Sequence, residues 1–499
     1  MNAAKKTGLI LGLVAALFVL FFGNLDPQNP QVTVMAAIAA LMALWWITEA
    51  IPLGATSLIP LILYPFFGLM KADEIASSYI NSIIFLFLGG FMIAIAMETW
   101  GLHKRIALRI IILFGGSPNS IIIGFMTASA FLSMWISNTA TAIMMLPIAM
   151  AIISKLEDEF GEGKISKFAL AILLGVAYSC SLGGMATLVG TPPNLVLVKQ
   201  LNISFPNSPE ISFGSWMLLA LPITIILLVF TAFLLTKVIY KVDKSIHLDK
   251  EFIRNEYRKL GPMNSEEKFV SVIFALTAFL WIFRTNLNIG IFTIPGWSNL
   301  FANASFFNDG TVAITMASLL FFIPSKNSDT TLLNAEVFNK IPWGIVLLFG
   351  GGFALAKGFS STGLSNFIGV QLAGLASFPH LLMILIIAVS VILLTELTSN
   401  TATTQMILPI MASVSVAMKL NPMLLMITAT LSASMAFMLP VATPPNTIIF
   451  ATGKVKIYQM LKTGIIIDFV GVFVVILLLY LLGDSVFSLG TLPAWAVSP

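Results

Sequence analysis

Two short segments of this sequence carry the same polar triplet inside an otherwise apolar chain. Residues 137–148 read SNTATAIMMLPI, residues 399–410 read SNTATTQMILPI, and nine of the twelve positions are identical. Serine, threonine and asparagine supply hydroxyl, amide and carbonyl oxygens, which are ligands that hard cations prefer. A helix that begins at such a triplet also presents free N–H groups, which attract an anion. The pair of triplets therefore indicates sites for a small cation and for an anion.

A second motif follows each triplet. Residues 189–198 read VGTPPNLVLV and residues 441–450 read VATPPNTIIF. Proline has no N–H and clashes with the carbonyl four residues earlier, so two consecutive prolines interrupt a helix and leave upstream carbonyls free. Gly190 and Ala442, just before the threonines, let the backbone come close to an ion. We expect each triplet to face a Thr-Pro-Pro-Asn break, which gives two cation sites beside one anion site.

The four motif segments contain no lysine or arginine. An anion held there is balanced by helix ends, polar side chains and bound cations, which predicts that cation and anion binding are coupled. The alternative is structural, because Ser, Thr and Asn also form hydrogen bonds between membrane helices. Two copies in register, each followed by Thr-Pro-Pro-Asn, favour the binding role.

Three acidic residues lie within or at the edge of apolar stretches, namely Glu49, Glu98 and Glu396. An acid inside a membrane segment is a candidate for function. Glu396 stands three residues before Ser399, and Met134 occupies the equivalent position of the first copy. Two roles are open for Glu396, carrying a proton or pairing with a neighbouring group.

The composition defines the solvent around these motifs. Of 499 residues, 58% are hydrophobic and 10% are charged, and the mean hydropathy is +0.98. Soluble domains have about a quarter of their residues charged, so this chain has too little polar surface to cover a soluble core. It is predicted to be an all-α polytopic membrane protein. No metal-binding cluster or nucleophilic triad is visible, and Cys180, the single cysteine, is predicted to be a packing residue.

Eleven apolar runs are predicted to cross the membrane. Two further apolar stretches, 120–153 and 380–417, are broken in the middle by Ser-Asn-Thr and are predicted to be re-entrant hairpins. The crossings are 7–22, 32–48, 53–69, 83–101, 168–190, 214–236, 269–283, 311–323, 342–360, 422–440 and 465–482.

The distribution of basic residues supports this count. With the N-terminus in the cytoplasm, 21 of the 26 Lys and Arg residues fall in cytoplasmic segments, as the positive-inside rule requires. The C-terminal tail has no basic residue and is predicted to lie outside. Lys5 and Lys6 before an apolar run also resemble a signal peptide, but the small-residue cleavage pattern is absent, which favours an uncleaved helix.

The triplets belong to a longer duplication. Gly89-Gly90-Phe91 aligns with Gly351-Gly352-Phe353 at the same spacing of 262 residues as Ser137 with Ser399, and the Thr-Pro-Pro-Asn motifs are 252 residues apart. The repeated units are about 82–200 and 344–452, and the predicted topology inverts them. Inverted repeats with broken helices are typical of secondary transporters, whose site lies where the repeats meet. The glycines are predicted to be close helix contacts, and the charged segment 237–268 is predicted to be a cytoplasmic linker helix.

The doubled motifs resemble the signature of the divalent anion/sodium symporter family, whose members carry dicarboxylates, tricarboxylates or sulfate. The resemblance covers both repeats. It implies eleven transmembrane helices and two re-entrant hairpins, a homodimer, and an elevator mechanism in which a transport part moves against a scaffold. Segments 103–114 and 363–376 would be surface arms between the parts. The implied boundaries are scaffold 1–118, transport 119–242, linker and scaffold 243–378, and transport 379–499.

The resemblance also assigns residues by position. It implies a first sodium site at Ser133, Ser137, Asn138 and the backbone of Gly190, and a second at Thr395, Thr398, Asn400 and the backbone of Ala442. The implied substrate contacts are Ser137, Asn138, Thr139, Thr191, Ser399, Asn400, Thr401 and Thr443. Relatives often have a small apolar residue where this chain has Thr398, a change that is harmless if this position contributes only its carbonyl.

The leading hypothesis is a sodium-coupled symporter of C4-dicarboxylates such as succinate, malate or fumarate, in a bacterial inner membrane. The intact triplets resemble the carboxylate carriers more than the sulfate carriers. Alternatives of the same fold are a sodium-independent dicarboxylate exchanger and a sulfate or citrate carrier. An ion channel or a membrane-embedded enzyme is disfavoured, since inverted broken helices are typical of alternating access. Sodium is the only coupling ion implied, without an organic cofactor or a nucleic-acid partner.

Overall fold

The computed structural model describes residues 3–243, 250–289, 292–327, 329–372, 374 and 378–497. It is built almost entirely of helices, as the composition predicts. The first half contains α1 (Ala3–Phe22), α2 (Pro30–Thr48), α3 (Leu53–Thr56), α4 (Ile59–Phe66), α5 (Ala72–Ala76), α6 (Ser82–Thr99), α7 (Leu102–Phe114), α8 (Pro118–Ser133), α9 (Asn138–Phe160), α10 (Glu162–Met185), α11 (Pro192–Ser204) and α12 (Phe213–Phe233), which continues as the π-helix Leu234–Ile239.

The second half repeats this order after a linker. Its helices are α13 (Lys250–Lys259), α14 (Ser265–Ile282), α15 (Asp309–Leu319), α16 (Val337–Lys340), α17 (Trp343–Thr362), α18 (Leu364–Leu372), α19 (His380–Thr395), α20 (Asn400–Ala417), α21 (Pro422–Ala433), α22 (Pro444–Phe450) and α23 (Ile457–Phe487). Between α14 and α15 a two-residue strand, β1 (Leu287–Asn288), pairs antiparallel with β2 (Thr293–Ile294).

A helix is present at each of the eleven predicted crossings. Within the described residues, eight helices are long and apolar enough to span a membrane, and four shorter apolar helices accompany them. Because ~20 apolar residues suffice to cross a bilayer, α9, with 23 residues, meets the length requirement by itself. The polytopic class is therefore supported, while the count of eleven and the re-entrant hairpins remain predictions.

The first glycine of each repeated pair makes a close contact, as predicted. A Cβ on Gly89 of α6 would lie 2.5 Å from the Ala313 backbone of α15, and a Cβ on Gly351 of α17 would lie 2.5 Å from Ser57, just after α3. Glycine is needed at both positions because any side chain would meet backbone or Cβ atoms. The two halves thus build the same tight crossing with different helices.

The charged segment between the halves is helical only in part. The π-helix ends at Ile239, residues 244–249 lie outside the described residues, and α13 is followed by Gly261, whose φ of +65° favours glycine. The prediction of a helix over 237–268 is therefore wrong at residues 240–243 and 260–264, which are not helical. Asn264 then caps α14 in a capping box with Glu267.

Segments 103–114 and 363–376 begin with the same turn. Gly101 and Gly363 precede α7 and α18 with φ of +75° and +80°. Arg105 of α7 is buried and pairs with Glu267 of α14 at 2.9 Å. The second segment is described as α18 to Leu372, and its predicted end at 376 lies outside the described residues.

Helix α10 lies at the centre of the molecule. Its apolar stretch is completely buried, and it packs against α8, α9, α12 and α22. The last of these contacts joins the two halves. The C-terminal end of α10, where the first Thr-Pro-Pro-Asn motif follows, is therefore held inside the protein.

Candidate ion and substrate site

The first triplet lies at the break between α8 and α9. Ser137 is the N-cap of α9, and its hydroxyl accepts a hydrogen bond from the Ala140 N–H at 3.1 Å. The hydroxyl of Ser133 donates to the Asn138 Oδ1 atom at 2.5 Å. Serine is a preferred N-cap because its oxygen satisfies one of the free N–H groups of the first turn. The triplet thus starts a helix and gathers side-chain oxygens at its N-terminus.

The first Thr-Pro-Pro-Asn motif shapes the break between α10 and α11. The amide of Asn194 donates to the carbonyls of Gly184, Met185 and Thr187, the last at 2.7 Å. These carbonyls lie at or just beyond the C-terminal end of α10, where the last turn of a helix leaves carbonyls without a helical partner. Asn194 is fully buried. Its role is therefore to hold the broken backbone, and no sodium or substrate role was predicted for it.

Gly190 brings this break against the first triplet. A Cβ on Gly190 would lie 2.5 Å from the carbonyl oxygen of Gly184 and 3.0 Å from that of Ser133. A Cβ on Gly184 would lie 2.6 Å from the Asn138 Oδ1 atom. Ser133, Asn138 and Gly190, three residues expected at the first sodium site, therefore lie together, and their donor atoms are neutral oxygens that suit a hard cation.

The second triplet repeats the side-chain arrangement of the first. The Thr395 hydroxyl donates to the Asn400 Oδ1 atom at 2.8 Å and is also 2.8 Å from the Ala433 carbonyl. Thr395 and Asn400 are five residues apart, like Ser133 and Asn138. Each Ser-Asn-Thr break therefore has a hydroxyl–asparagine pair in the same register.

Thr398 directs its side chain away from this pair. Its hydroxyl donates to the Leu394 carbonyl at 2.9 Å and lies 2.5 Å from the Thr403 hydroxyl. The Thr398 carbonyl remains as the group that an ion could contact.

The second Thr-Pro-Pro-Asn motif is held like the first. The amide of Asn446 donates to the carbonyls of Ala436 and Leu439 at 3.1 and 3.0 Å, and its N–H donates to the Thr443 hydroxyl at 3.4 Å. Asn446 is fully buried, like Asn194. The asparagine of each motif is thus an internal brace for the broken backbone.

The predicted substrate contacts differ in exposure. At the triplets, Ser137, Asn138, Thr139, Ser399 and Asn400 are partly exposed. Thr191, Thr401 and Thr443 are buried, with 4%, 8% and 4% of their surface exposed. Helix α9 packs against α22, and α20 packs against α11, so each triplet helix contacts the broken helix of the other half. The two halves therefore contribute to one central region.

The three acidic candidates separate clearly. Glu49 and Glu98 are exposed at helix ends, whereas Glu396 is 2% exposed. Glu396 accepts hydrogen bonds from the N–H groups of Met438 and Leu439 at 2.8 and 2.9 Å. Asp468 of α23 lies beside it, 4% exposed, and receives no hydrogen bond within the described chain.

The sequence interpretation missed Asp468, although an aspartate within the apolar run 465–482 was a usable signal. It also missed Thr187, whose hydroxyl donates to the Met134 carbonyl at 2.5 Å, and Gln200, whose amide donates to Gln405 at 2.9 Å. These contacts involve backbone carbonyls or residues distant in sequence. Only the fold brings them together.

An all-helical membrane protein built from two repeats, each broken at a polar triplet and at paired prolines, belongs to the class of secondary transporters. The comparisons with known proteins make the class more specific. The chain belongs to the family described as the sodium:sulfate symporter transmembrane region, whose model matches residues 3–489. This is the family to which the motif resemblance pointed.

Two similar proteins of known name come from staphylococci. The sodium-dependent dicarboxylate transporter SdcS of Staphylococcus saprophyticus is 42% identical over 495 residues, which cover 98% of this chain and 93% of the relative. The protein of the same name from Staphylococcus aureus strain NCTC 8325 is 43% identical over 487 residues, or 96% of this chain and 91% of the relative.

Two solved structures share the fold at low sequence identity. MtrF of Neisseria gonorrhoeae, described with a class of antimetabolite efflux pumps, has a TM-score of 0.55 at 13% identity, covering 81% of this chain and 82% of its own. The YdaH transporter of Alcanivorax borkumensis has a TM-score of 0.54 at 11% identity, covering 85% and 89%. At such identities the likeness concerns the fold alone.

Proposed function

We propose that this protein is a sodium-coupled symporter of C4-dicarboxylates such as succinate, malate and fumarate. The observation that carries the proposal is the duplicated hydroxyl–asparagine pair at the two hairpin tips. Close similarity to proteins named sodium-dependent dicarboxylate transporters supports both the ion and the substrate class. The protein acts as a carrier and not as an enzyme.

The proposed ion sites use the neutral oxygens of the two tips. The first sodium ion would be held by Ser133, Ser137, Asn138 and the backbone of Gly190, and the second by Thr395, Thr398, Asn400 and the backbone of Ala442. The close approach of Gly190 to Ser133 supports the first set, and the Thr395–Asn400 hydrogen bond supports the second. Hydroxyl, amide and backbone oxygens are suitable ligands for a hard monovalent cation.

The substrate carboxylates would lie between the triplets. The proposed contacts are Ser137, Asn138, Thr139, Thr191, Ser399, Asn400, Thr401 and Thr443. Helices α9 and α20 begin at the triplets, so their free N–H groups favour a carboxylate. The triplets and the Thr-Pro-Pro-Asn segments contain no basic side chain, and a dianion therefore needs the two sodium charges for balance. This requirement couples the uphill movement of substrate to the downhill movement of sodium.

We propose alternating access by an elevator movement of the transport segments 119–242 and 379–499 against the scaffold segments 1–118 and 243–378. Gln200 and Gln405 of the proposed transport part contact Gly352 of the proposed scaffold, so the movement would have to break this contact. The proposed assembly is a homodimer in a bacterial inner membrane, with the N-terminus in the cytoplasm and the C-terminus outside.

The test is uptake of radiolabelled succinate into liposomes containing the purified protein. We expect uptake with an inward sodium gradient, little uptake when potassium replaces sodium, and competition by unlabelled malate and fumarate. Uptake that is independent of sodium but requires dicarboxylate inside the vesicle would contradict symport and indicate exchange. Competition by sulfate or citrate but not by malate would contradict the substrate assignment.

A further inference from the structure

Glu396 joins the second hairpin to the broken segment that follows α21. Its two carboxylate oxygens accept the consecutive N–H groups of Met438 and Leu439 at 2.8 and 2.9 Å, and the side chain is buried. Helix α21 ends at Ala433, so these N–H groups have no helical partner. Buried N–H groups must be paired, and hydrogen bonds to a charged acceptor are about twice as strong as neutral ones.

The first half has a hydrogen-bonded junction between hairpin and loop at the same place, but the roles of side chain and backbone are exchanged. Met134 stands where Glu396 stands in the second half, and Thr187 is the equivalent of Leu439 at the spacing of the Thr-Pro-Pro-Asn motifs. The Thr187 hydroxyl donates to the Met134 carbonyl at 2.5 Å and accepts the Gly190 N–H at 3.0 Å. In the first half the loop side chain reaches the hairpin, and in the second half the hairpin side chain reaches the loop.

Both junctions lead to the backbone group proposed to bind sodium. In the first half Thr187 holds Gly190 directly. In the second half Glu396 holds Leu439, whose carbonyl accepts the Ala442 N–H at 3.3 Å. Two different side chains thus fix the same relation between a hairpin tip and the residue before Thr-Pro-Pro-Asn. A common structural demand explains why both halves preserve it.

We propose that Glu396 is a positioning residue for the second sodium site, where it sets the distance between the hairpin ligands and the Ala442 carbonyl. This inference rests on the proposed function, because it assumes that the second tip binds sodium. Sodium affinity should therefore depend on the two hydrogen bonds of the carboxylate. Succinate affinity at saturating sodium should depend on them much less, since Glu396 is not among the proposed substrate contacts.

The first test replaces Glu396 by glutamine, which keeps the size but can accept only one of the two N–H groups properly. The sodium concentration that half-saturates succinate uptake should rise about tenfold, the effect of losing a hydrogen bond to a charged group. The KM for succinate at saturating sodium should change less than about twofold. The rise in Tm of the purified protein with NaCl should shift to higher sodium by the same factor. Since Tm reports sodium binding without transport, it tests this inference separately from the proposed function, which uptake tests.

Glu266 provides a matched control. Its carboxylate is also buried and accepts two backbone N–H groups, from Lys326 and Asn327 at 2.7 and 3.1 Å, but it lies outside the proposed site. Glu266→Gln should lower Tm without moving the sodium dependence. A wild-type sodium dependence in Glu396→Gln, or an equal shift in both variants, would overturn the positioning role.

A second pair of variants covers the case in which Glu396→Gln does not fold. Glu396→Met combined with Leu439→Thr transfers the junction of the first half to the second. The introduced hydroxyl can donate to the carbonyl of residue 396 and accept the Ala442 N–H, as Thr187 does with Met134 and Gly190. The double variant should bind sodium more tightly than Glu396→Met alone. Equal or weaker binding by the double variant would contradict the inference.

Discussion

The two Ser-Asn-Thr breaks share the geometry of their hydroxyl–asparagine pairs and differ in how that geometry is held. Ser133 with Asn138, and Thr395 with Asn400, form the same hydrogen bond over the same five-residue spacing. The junction to the neighbouring break uses a neutral hydroxyl in the first half and a buried carboxylate in the second. The groups proposed to contact the ions are therefore more alike than the side chains that hold them in place, Thr187 and Glu396. A difference in sodium affinity between the two sites is expected to come from these supporting side chains.

A second difference concerns the packing of the helices that begin at the triplets. Gln405 of α20 is fully buried against Gly352, while Ile143, its equivalent on α9, is 57% exposed. The equivalent of Gly352 is Gly90, which packs instead against Val189 and Trp281. Sequence-related halves in different surroundings are expected of a transporter seen in one of two states, because inverted repeats exchange surroundings during alternating access.

The largest effect should come from removing the shared asparagines. Asn138→Ala and Asn400→Ala each delete the oxygen that accepts the neighbouring hydroxyl, a proposed ligand of both ion and substrate. Sodium-driven succinate uptake should fall by about 100-fold or more in either variant, above the usual cost of losing a supporting group at a metal site. Asn255→Ala, at an exposed position of α13, should transport normally. Wild-type uptake in either site variant would refute the assignment of that tip.

The next comparison exchanges the residues before the two Thr-Pro-Pro-Asn motifs. Gly190→Ala would place a Cβ 2.5 Å from the Gly184 carbonyl oxygen, so the backbone must shift. Because this shift would displace the Gly190 backbone that is proposed to bind sodium, sodium affinity should fall about tenfold. Ala442→Gly adds no atoms and should have a much smaller effect. The measurement is the Tm of both variants as a function of sodium concentration. Equal effects would show that the two halves do not differ at this position.

Cysteine cross-linking can test the exchange of surroundings. A disulfide between Gln405→Cys and Gly352→Cys should form in the state described here, because the Gln405 side chain fills the space beside Gly352. A disulfide between Ile143→Cys and Gly90→Cys should form in the opposite state, and sodium with succinate should change the ratio of the two. Cys180 is buried and can be replaced beforehand. Simultaneous formation of both disulfides in one protomer would contradict a two-state exchange.

The smallest effect is expected at Asp468. Asp468 is buried beside Glu396, and its carboxyl oxygens have no hydrogen-bond partner among the described residues. Asp468→Asn keeps the size and polarity of the side chain and should change sodium-driven uptake less than about twofold. Asp468→Leu removes the polar group beside the Glu396 carboxylate and should be the more damaging change. A large loss in Asp468→Asn would instead show that the acid itself is required.

Apolar run length and duplication were sufficient to predict the helical architecture. Membrane thickness fixes the length of a spanning helix, and a helix was found at every predicted crossing, from α1 to α23. The length of the linker helix was overestimated, because a charged stretch has no apolar periodicity from which the ends of a helix can be located. Gly261 was the available signal for the interruption.

The local structure around the motifs was predictable where side chains carry the pattern. Helices α9 and α20 begin directly after Ser137 and Ser399, as their triplets suggested, and Gly190 lies against the carbonyls of Gly184 and Ser133. The junction made by Glu396 was not predictable, because its partners are backbone N–H groups that any residue at 438 or 439 would supply. The burial of Gln405 was also beyond the sequence, since it depends on the packing of α20 against α11 and α17, which are distant in sequence.

The presence of two sodium sites, one in each half, is tested most directly by the sodium-to-succinate flux ratio. Radiolabelled sodium and succinate would be followed together in the same liposomes during the first seconds of uptake. We expect at least two sodium ions to enter with each succinate. This ratio should fall when either hydroxyl–asparagine pair is weakened. A ratio of one, or succinate uptake without sodium entry, would contradict the presence of two sites.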